Sequence, residues 1–183
     1  MIDINYFAKK AAQERQPLPN GRGSQTGRDV AGPELTLTFR GIVYPWHLDH
    51  MNHMNVRHYV AMFDQSSWLL LAQLGLDSQY FGDHGRGMAA LEQTIQYKSE
   101  LRSGDMFEIR SGVIEVREKT IRLLHNMYNV RTGVLAASTI ILGVHTDAQA
   151  RKSAPLPARI RERAQSLAAS TCMAAELCSP QAV

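Results

Sequence analysis

Residues 56–74, VRHYVAMFDQSSWLLLAQL, decide the fold of this chain. Their apolar side chains recur at steps of three and four, which is the spacing of one face of an α-helix. The positions that share this face are Tyr59, Met62, Phe63, Ser66, Leu70 and Leu74. Leu69 and Leu71 widen the apolar stripe, and Gly75 follows at a position where helices commonly end. The sequence therefore predicts one long helix that is well covered by other elements.

The segments on both sides of this helix show strand patterns. Residues 35–44 alternate apolar and polar side chains and stop at Pro45. A loop is predicted over 75–87, and the strands that follow it are predicted over 88–101, 107–116, 120–130 and 134–145. The alternation in the second of these changes phase at Ser111–Gly112, which predicts a β-bulge there. This order predicts an α+β fold, an antiparallel sheet of about five strands wrapped around one long central helix.

The composition divides the 183 residues into three parts. Residues 1–34 are rich in Gly, Pro and polar side chains without an apolar period, so we expect a flexible N-terminal extension. Residues 35–150 hold the long helix and the strands, and we expect them to form the folded domain. Residues 151–183 contain an Ala-rich and Arg-rich stretch over 158–169 after two prolines, which predicts a C-terminal basic helix and tail.

Several classes of partner are not expected. No segment approaches the ~20 consecutive apolar residues of a membrane-spanning helix, and no apolar block follows a basic start at the N-terminus. We therefore expect a cytoplasmic protein that does not act at a membrane. The net charge is +3, but residues 35–150 carry ten basic and eleven acidic side chains. Because the positive excess lies in the two ends, no basic stripe predicts a nucleic-acid partner.

Four of the seven histidines fall within the twelve residues from His47 to His58, in the segment YPWHLDHMNHMNVRHY. This segment joins the first predicted strand to the start of the long helix. Asn55 is placed to cap that helix, and Asp49 lies one short loop upstream. A carboxylate facing the unpaired N–H groups of a helix N-terminus suits acyl transfer to water. The same spacing is also compatible with purely structural capping and turn residues.

The run from Trp46 to Asp64 resembles the signature of hotdog-fold acyl-CoA thioesterases of the 4-hydroxybenzoyl-CoA thioesterase type. The resemblance continues through Gln93, Tyr97, Gly104–Asp105, His125 and the long apolar last strand, and it covers roughly residues 36–147. It implies a hotdog fold and the hydrolysis of an acyl-CoA thioester to a free acid and coenzyme A. It also implies a homodimer or homotetramer and no cofactor.

The resemblance assigns catalytic roles to four positions. Asp49 matches the catalytic carboxylate, which acts as a general base on water or as the nucleophile of an acyl-enzyme anhydride. The backbone N–H of Val56 matches the donor that polarises the thioester carbonyl. His53 and Asn55 match polar positions around the site.

Four more positions are expected to contact the substrate. Tyr59 matches the helical aromatic residue that lines the acyl pocket. Asn52 stands where the family usually has Gly, so its side chain either narrows or repolarises the site, or occupies a left-handed backbone position that Asn tolerates. Arg151 and Lys152 are expected to meet the phosphates of coenzyme A. The acyl group itself is not predicted from the sequence.

Three alternatives compete with the thioesterase hypothesis. His47, Asp49, His50 and His53 include ligand types at spacings compatible with a metal, although we expect no metal. Asp49 and His53 could instead serve a hotdog-fold enoyl-CoA hydratase. A non-catalytic acyl-CoA-binding protein is favoured only by Asn52. Trp46 and Trp68 are expected in the core.

Overall fold

The computed structural model describes residues 35–173. Their elements, in chain order, are β1 (Thr36–Ile42), a 3-10 turn (Pro45–His47), α1 (Val56–Leu74), α2 (Ser78–His84), β2 (Arg86–Tyr97), β3 (Met106–Val116), β4 (Thr120–Asn129), β5 (Leu135–Asp147), β6 (Lys152–Ser153) and α3 (Ala158–Met173). The expected N-terminal extension over 1–34, and the end of the predicted tail from 174 onward, lie outside these residues. Within the described range, no helix is long and apolar enough to cross a membrane.

The strands form one antiparallel sheet in the order β1-β3-β4-β5-β2, and the short β6 pairs with the end of β5. The β2–β5 pair is long: Arg86 lies opposite Asp147 at one end, and Tyr97 lies opposite Ala137 at the other. At roughly 3.3 Å per residue, these two ends are about 36 Å apart. β1 and β2 are the edge strands. The expected antiparallel sheet with one long helix against it is confirmed.

The long helix α1 has the predicted bounds. The Asn55 side chain accepts a hydrogen bond from the Arg57 N–H at the start of the helix, and Gly75 ends it in the left-handed conformation, with φ of 96°. All the positions predicted to share the buried face are buried, and so is Leu71. Leu69, expected to widen that face, is 47% exposed.

The core divides into two clusters along α1. In the N-terminal half of the helix, Tyr59, Met62 and Phe63 pack against the sheet. The neighbours of these side chains include Val43, Met54, Leu101, Phe107, Ile109 and Met127. In the C-terminal half, Leu70 and Leu74 pack in a second cluster. The neighbours here include Val113, Ile121, Leu123, Leu156, Ile160 and Ala164, so α3 closes this half.

The C-terminal helix α3 is longer than predicted and packs over β3. A Cβ atom on Gly112 would lie 2.6 Å from Thr171 Oγ1 and 2.7 Å from Leu35 Cδ2. Any side chain at this position would therefore push α3 away from the sheet. Gly112 marks the close approach of helix and strand rather than the predicted bulge.

The bulge in β3 lies two residues further on. Val113 pairs with Leu123 and Glu115 pairs with Arg122, which leaves Ile114 as the extra residue. The prediction at Ser111–Gly112 was wrong because Ser111, although polar, continues the buried alternation of the strand. The loop predicted over 75–87 was also only partly right, since it contains the short helix α2.

A chain of buried polar side chains connects the sheet to α1. Ser111 Oγ lies 2.6 Å from both Thr38 Oγ1 and His125 Nδ1, and His125 Nε2 lies 3.0 Å from Ser67 Oγ on α1. The Ser67 hydroxyl also donates to the carbonyl of Phe63 at 2.9 Å. Burial lowers the pKa of His125 to about 4, so its ring is neutral at pH 7. This chain explains why a polar residue occupies the core face of β3.

Candidate active site

The polar loop before α1 folds as a small hairpin. Leu48 and Met54 form a bridge, and the Asp49 N–H donates to the carbonyl of His53 at 3.1 Å. Asn52 turns the chain with φ of 61°, and its N–H donates to the Asp49 carbonyl at 3.0 Å. Of the two roles expected for Asn52, the left-handed backbone is the one that the structure contains. Asn tolerates this conformation because its short polar side chain can form local hydrogen bonds.

The carboxylate of Asp49 is tied to both ends of this turn. Its Oδ1 accepts the Met51 N–H at 2.8 Å, and its Oδ2 lies 3.4 Å from the Asn55 amide nitrogen. The Met51 hydrogen bond lowers the pKa of Asp49, with smaller contributions from His53 and Asn55. Asp49 is therefore ionised at neutral pH, and 20% of its side chain is exposed.

The start of α1 lies directly behind this carboxylate. The Asn55 side-chain oxygen accepts the Arg57 N–H at 3.1 Å, while the same amide group reaches Asp49 through its nitrogen. No protein acceptor for the Val56 N–H is found within residues 35–173. This free donor adds to the partial positive charge of the helix N-terminus. Asn55 thus holds a carboxylate beside an unpaired backbone N–H.

His53 lies between two carboxylates. Its Nδ1 is 4.0 Å from Asp49 Oδ1, and its Nε2 is 3.9 Å from Glu100 Oε1. These are charge contacts when the ring is protonated, and the distances are too long for direct hydrogen bonds. Glu100 was not predicted from the sequence, because it lies about fifty residues away in the chain and joins the site only through the fold.

Tyr59 is close to this site but buried beneath it. Only 4% of the residue is exposed, and its ring meets the edge of Tyr97 at a centroid distance of 5.3 Å. Burial raises the pKa of Tyr59 to about 12, so the hydroxyl stays protonated. The ring belongs to the core cluster around the first half of α1. Tyr97, by contrast, is about half exposed.

A cavity of about 410 Å³ runs along α1 between the helix and strands β2 and β5. Along the helix it extends from Arg57, the residue after Val56, to Leu71. Apolar side chains dominate the wall, and Asp64 and Gln93 are among its polar groups. The expected core position of Trp68 was wrong, because its ring lines this cavity and is 44% exposed. Trp46 is also outside the core, at 67% exposed.

The remaining sequence candidates lie elsewhere. Arg151 and Lys152 follow β5 and face the Asp147 end of the sheet, whereas Asp49 lies near the Tyr97 end. One protomer therefore does not bring them together with Asp49. The Nδ1 of His47 accepts the Tyr44 N–H at 3.1 Å, and the centroid of its ring lies 4.6 Å from that of His58. Across the described part of the chain, no three His, Cys, Asp or Glu side chains are grouped to hold a metal ion.

Comparison with known proteins places this geometry in a family. Residues 43–164, which contain the polar loop, α1, the cavity and the first part of α3, match the model of the thioesterase-like superfamily. The chain belongs to the thioesterase-like superfamily. Its membership confirms the family that the Trp46–Asp64 segment resembles.

Relatives of this thioesterase-like chain include proteins whose names share the betainyl-CoA thioesterase activity. The betainyl-CoA thioesterase of Pseudomonas aeruginosa is 24% identical over 135 residues, which are 74% of this chain and 85% of the relative. The L-carnitine dehydrogenase/betainyl-CoA thioesterase of Rhizobium meliloti is 25% identical over 155 residues, 85% of this chain. The chain spans only 31% of that longer protein.

Solved structures confirm the hotdog fold of the thioesterase-like chain. A Staphylococcus aureus protein in complex with CoA superposes with a TM-score of 0.70 and 20% identity, over 75% of this chain and 87% of the other. The 1,4-dihydroxy-2-naphthoyl-CoA thioesterase of Synechocystis has a TM-score of 0.63 and 16% identity, over 72% and 96% of the two chains. At these identities the likeness supports the fold alone.

Proposed function

We propose that this protein hydrolyses an acyl-CoA thioester to a free acid and coenzyme A. The observation that carries the proposal is the ionised Asp49 carboxylate, which Asn55 links to the helix start where the Val56 N–H is free. A charged oxygen base beside an unpaired backbone donor supplies the two groups that thioester hydrolysis requires. The betainyl-CoA thioesterases among its relatives support the same chemistry.

In the reaction, the thioester carbonyl lies against the Val56 N–H. Asp49 takes a proton from water while the water oxygen attacks the carbonyl carbon, and the helix N-terminus stabilises the negative oxygen that forms. The carbon–sulfur bond then breaks, and the proton held by Asp49 passes to the departing thiolate. Alternatively, Asp49 attacks the carbonyl itself and forms an anhydride that water hydrolyses. Both routes convert one thioester and one water into an acid and a thiol.

The proposed roles of the other site residues follow from their positions. His53 is placed to position water or substrate next to Asp49, at 4.0 Å. Tyr59 supports the helix start from beneath. The acyl group extends from Val56 into the cavity of about 410 Å³ along α1, a volume that suits small ligands. Arg151 and Lys152 reach a bound CoA only if another protomer supplies the catalytic loop.

We also propose that the protein is a homodimer or a larger homo-oligomer. β2 is an edge strand with exposed side chains from Ala89 to Thr94, and Leu91 is 61% exposed. An open strand edge of this length favours pairing with a second chain. The cavity is lined by the same strand, so a partner at this edge would complete its wall. Light scattering should give at least twice the chain mass of 20.4 kDa.

The experiment that tests the function is a panel of acyl-CoA thioesters with free thiol detected as the product. The panel includes betainyl-CoA, a short aliphatic, a long aliphatic and an aromatic thioester, and an enoyl-CoA scored for hydration. Thiol release from at least one thioester supports the proposal. Hydration of the enoyl-CoA without thiol release would establish a hydratase instead. Saturable acyl-CoA binding without any product would establish a binding protein.

A further inference from the structure

A second cavity lies at the opposite end of α1 from Asp49. Its volume is about 430 Å³, and it lies between the end of α1, helix α2 and the first turns of α3. We call it the arginine cavity, because Arg159 and Arg163 line it together with Tyr80 and His84. Among the described residues, no Asp or Glu lines it. Its size is within the range of small-ligand pockets.

Among the described residues, the two arginines that line the cavity have no partner of opposite charge. They are four residues apart on α3, so their side chains share one face of the helix, and like charges at this spacing repel each other. Within residues 35–173, neither guanidinium forms a salt bridge, whereas Arg40, Arg86 and Arg122 each pair with a carboxylate. Two adjacent guanidinium groups in an acid-free cavity favour a phosphate, which each can bind through two N–H donors.

Two aromatic side chains, Tyr80 and His84, also line the cavity. The rings of Tyr80 and His84 are stacked, with centroids 4.8 Å apart and planes 26° apart. A contact of 3.0 Å between the Tyr80 hydroxyl and His145 Nε2 fixes the first ring. His84 Nδ1 lies 3.0 Å from the Tyr80 carbonyl, so Nδ1 carries the proton and Nε2 faces outward. Aromatic rings beside basic side chains are a common surface for a nucleobase and its phosphate.

We propose that the arginine cavity binds a phosphorylated nucleotide, with the phosphate on Arg159 and Arg163 and the base beside Tyr80 and His84. The nucleotide is either the nucleotide end of a CoA thioester or a free nucleotide. The first source rests on the function proposed above. Because α1 has 19 residues at roughly 1.5 Å each, the cavity is about 28 Å from the catalytic loop of its own protomer. A thioester bound here would therefore react at another protomer's loop.

The test measures binding to the full chain by calorimetry, with adenosine 3′,5′-bisphosphate, CoA and inorganic phosphate as separate ligands. The wild-type protein should bind the bisphosphate more tightly than inorganic phosphate. The double variant Arg159→Gln/Arg163→Gln should bind the bisphosphate at least tenfold more weakly than the wild-type protein. Arg161→Gln on the same helix is the matched control, because this side chain does not line the cavity. His84→Ala, at an exposed position, should weaken binding of the bisphosphate more than binding of phosphate.

Steady-state kinetics of thioester hydrolysis show whether the bound nucleotide is part of the CoA substrate or a free nucleotide. If the nucleotide belongs to the substrate, the double variant raises KM for acyl-CoA and leaves KM for the corresponding acyl-pantetheine unchanged. If it is a free nucleotide, both KM values stay at the wild-type level while binding of the bisphosphate is lost. A wild-type protein that binds no nucleotide, or a double variant that binds it as tightly as the Arg161→Gln control, overturns the proposal. A protein that binds the bisphosphate but hydrolyses no thioester retains this site and refutes the proposed function alone.

Discussion

The two ends of α1 are built in opposite ways. At the N-terminal end, Val56 is 55% exposed, its N–H has no protein acceptor among the described residues, and Asn55 contacts the partly exposed carboxylate of Asp49. At the C-terminal end, Leu70 and Leu74 are at most 3% exposed and lie under α3. Water can hydrate the exposed groups at the first end, whereas burial of the leucine side chains stabilises the second. The contrast indicates that the leucine end holds the helix in place and the polar end is available for chemistry.

The largest effect expected at the polar end is on turnover. Asp49→Asn removes the base or nucleophile and leaves the turn nearly unchanged, because Asn also accepts the Met51 N–H. We expect kcat to fall by about 10²–10⁴-fold, the usual contribution of a general base, and more if Asp49 forms the anhydride. The midpoint of thermal unfolding should change little. Steady-state hydrolysis with detection of free thiol provides the measurement.

His53→Gln is the comparison for this variant. Its ring lies about 4 Å from both carboxylates, so the loss in kcat should be smaller than the loss in Asp49→Asn. A wild-type rate in Asp49→Asn would remove Asp49 from the mechanism. The polar loop would then be a structural turn, and the contrast between the two helix ends would concern stability only.

At the apolar end the expected effect is on stability. Leu70→Ala leaves a cavity at a residue with no exposed surface, and such changes cost about 2–5 kcal/mol of unfolding free energy. Leu69→Ala, one residue away and 47% exposed, should cost less than about 1 kcal/mol. Urea unfolding measures both variants. Equal losses would show that the C-terminal half of α1 is covered on both faces in solution, for example by a partner chain.

The parts of the fold that the sequence predicts depend on neighbouring residues. The parts that it does not predict depend on contacts between residues further apart in the chain, or on elements too short to show a pattern. The ends of α1 were predicted because Asn55 and Gly75 are local signals that act within one turn of the helix. The bulge was misplaced because hydrophobicity does not reveal that Ser111 is buried by its contact with His125, fourteen residues away. The short helix α2 was missed because seven residues carry too little periodicity to be distinguished from a loop.

The same distinction holds for the site. Asp49, Asn55 and Val56 lie within eight residues of the chain, and the sequence places them together. Their contacts are local, so the fold adds little to that prediction. Glu100 and the cavity wall formed by Met88 and Gln93 come from other elements, so no single run of sequence contains them. Trp68 was assigned to the core because large aromatic side chains usually are buried, whereas here the ring borders a cavity.

Between the two ends of α1, the buried side chain of His125 predicts that the stability of the protein depends on pH. The pKa of His125 falls from 6.5 to about 4 on folding. Between these pH values the unfolded state therefore binds a proton that the folded state does not bind. Stability should therefore fall as the pH drops from about 6.5 to about 4, by about 3 kcal/mol from this group alone. His125→Gln removes the titrating ring. Urea unfolding of both proteins at pH 7, 6, 5 and 4.5 should show a smaller loss in the variant, and equal losses would contradict the prediction.

The smallest expected effect is that of substitutions at Asn55, which separate its role as the helix cap from its contact with Asp49. Its oxygen caps α1 through the Arg57 N–H, and its nitrogen holds Asp49. Asn55→Ala removes both contacts, so it should cost about 1 kcal/mol of unfolding free energy and also lower kcat.

Asn55→Ser keeps a capping oxygen but cannot reach Asp49 with an amide. It should therefore retain most of the wild-type stability and show the same reduced kcat as Asn55→Ala. Unfolding in urea and hydrolysis of the best thioester are measured on the same preparations. A serine variant with wild-type kcat would show that the 3.4 Å contact with Asp49 is not needed for catalysis. In that case Asn55 serves the helix alone, and the polar end of α1 positions its carboxylate through the Met51 turn.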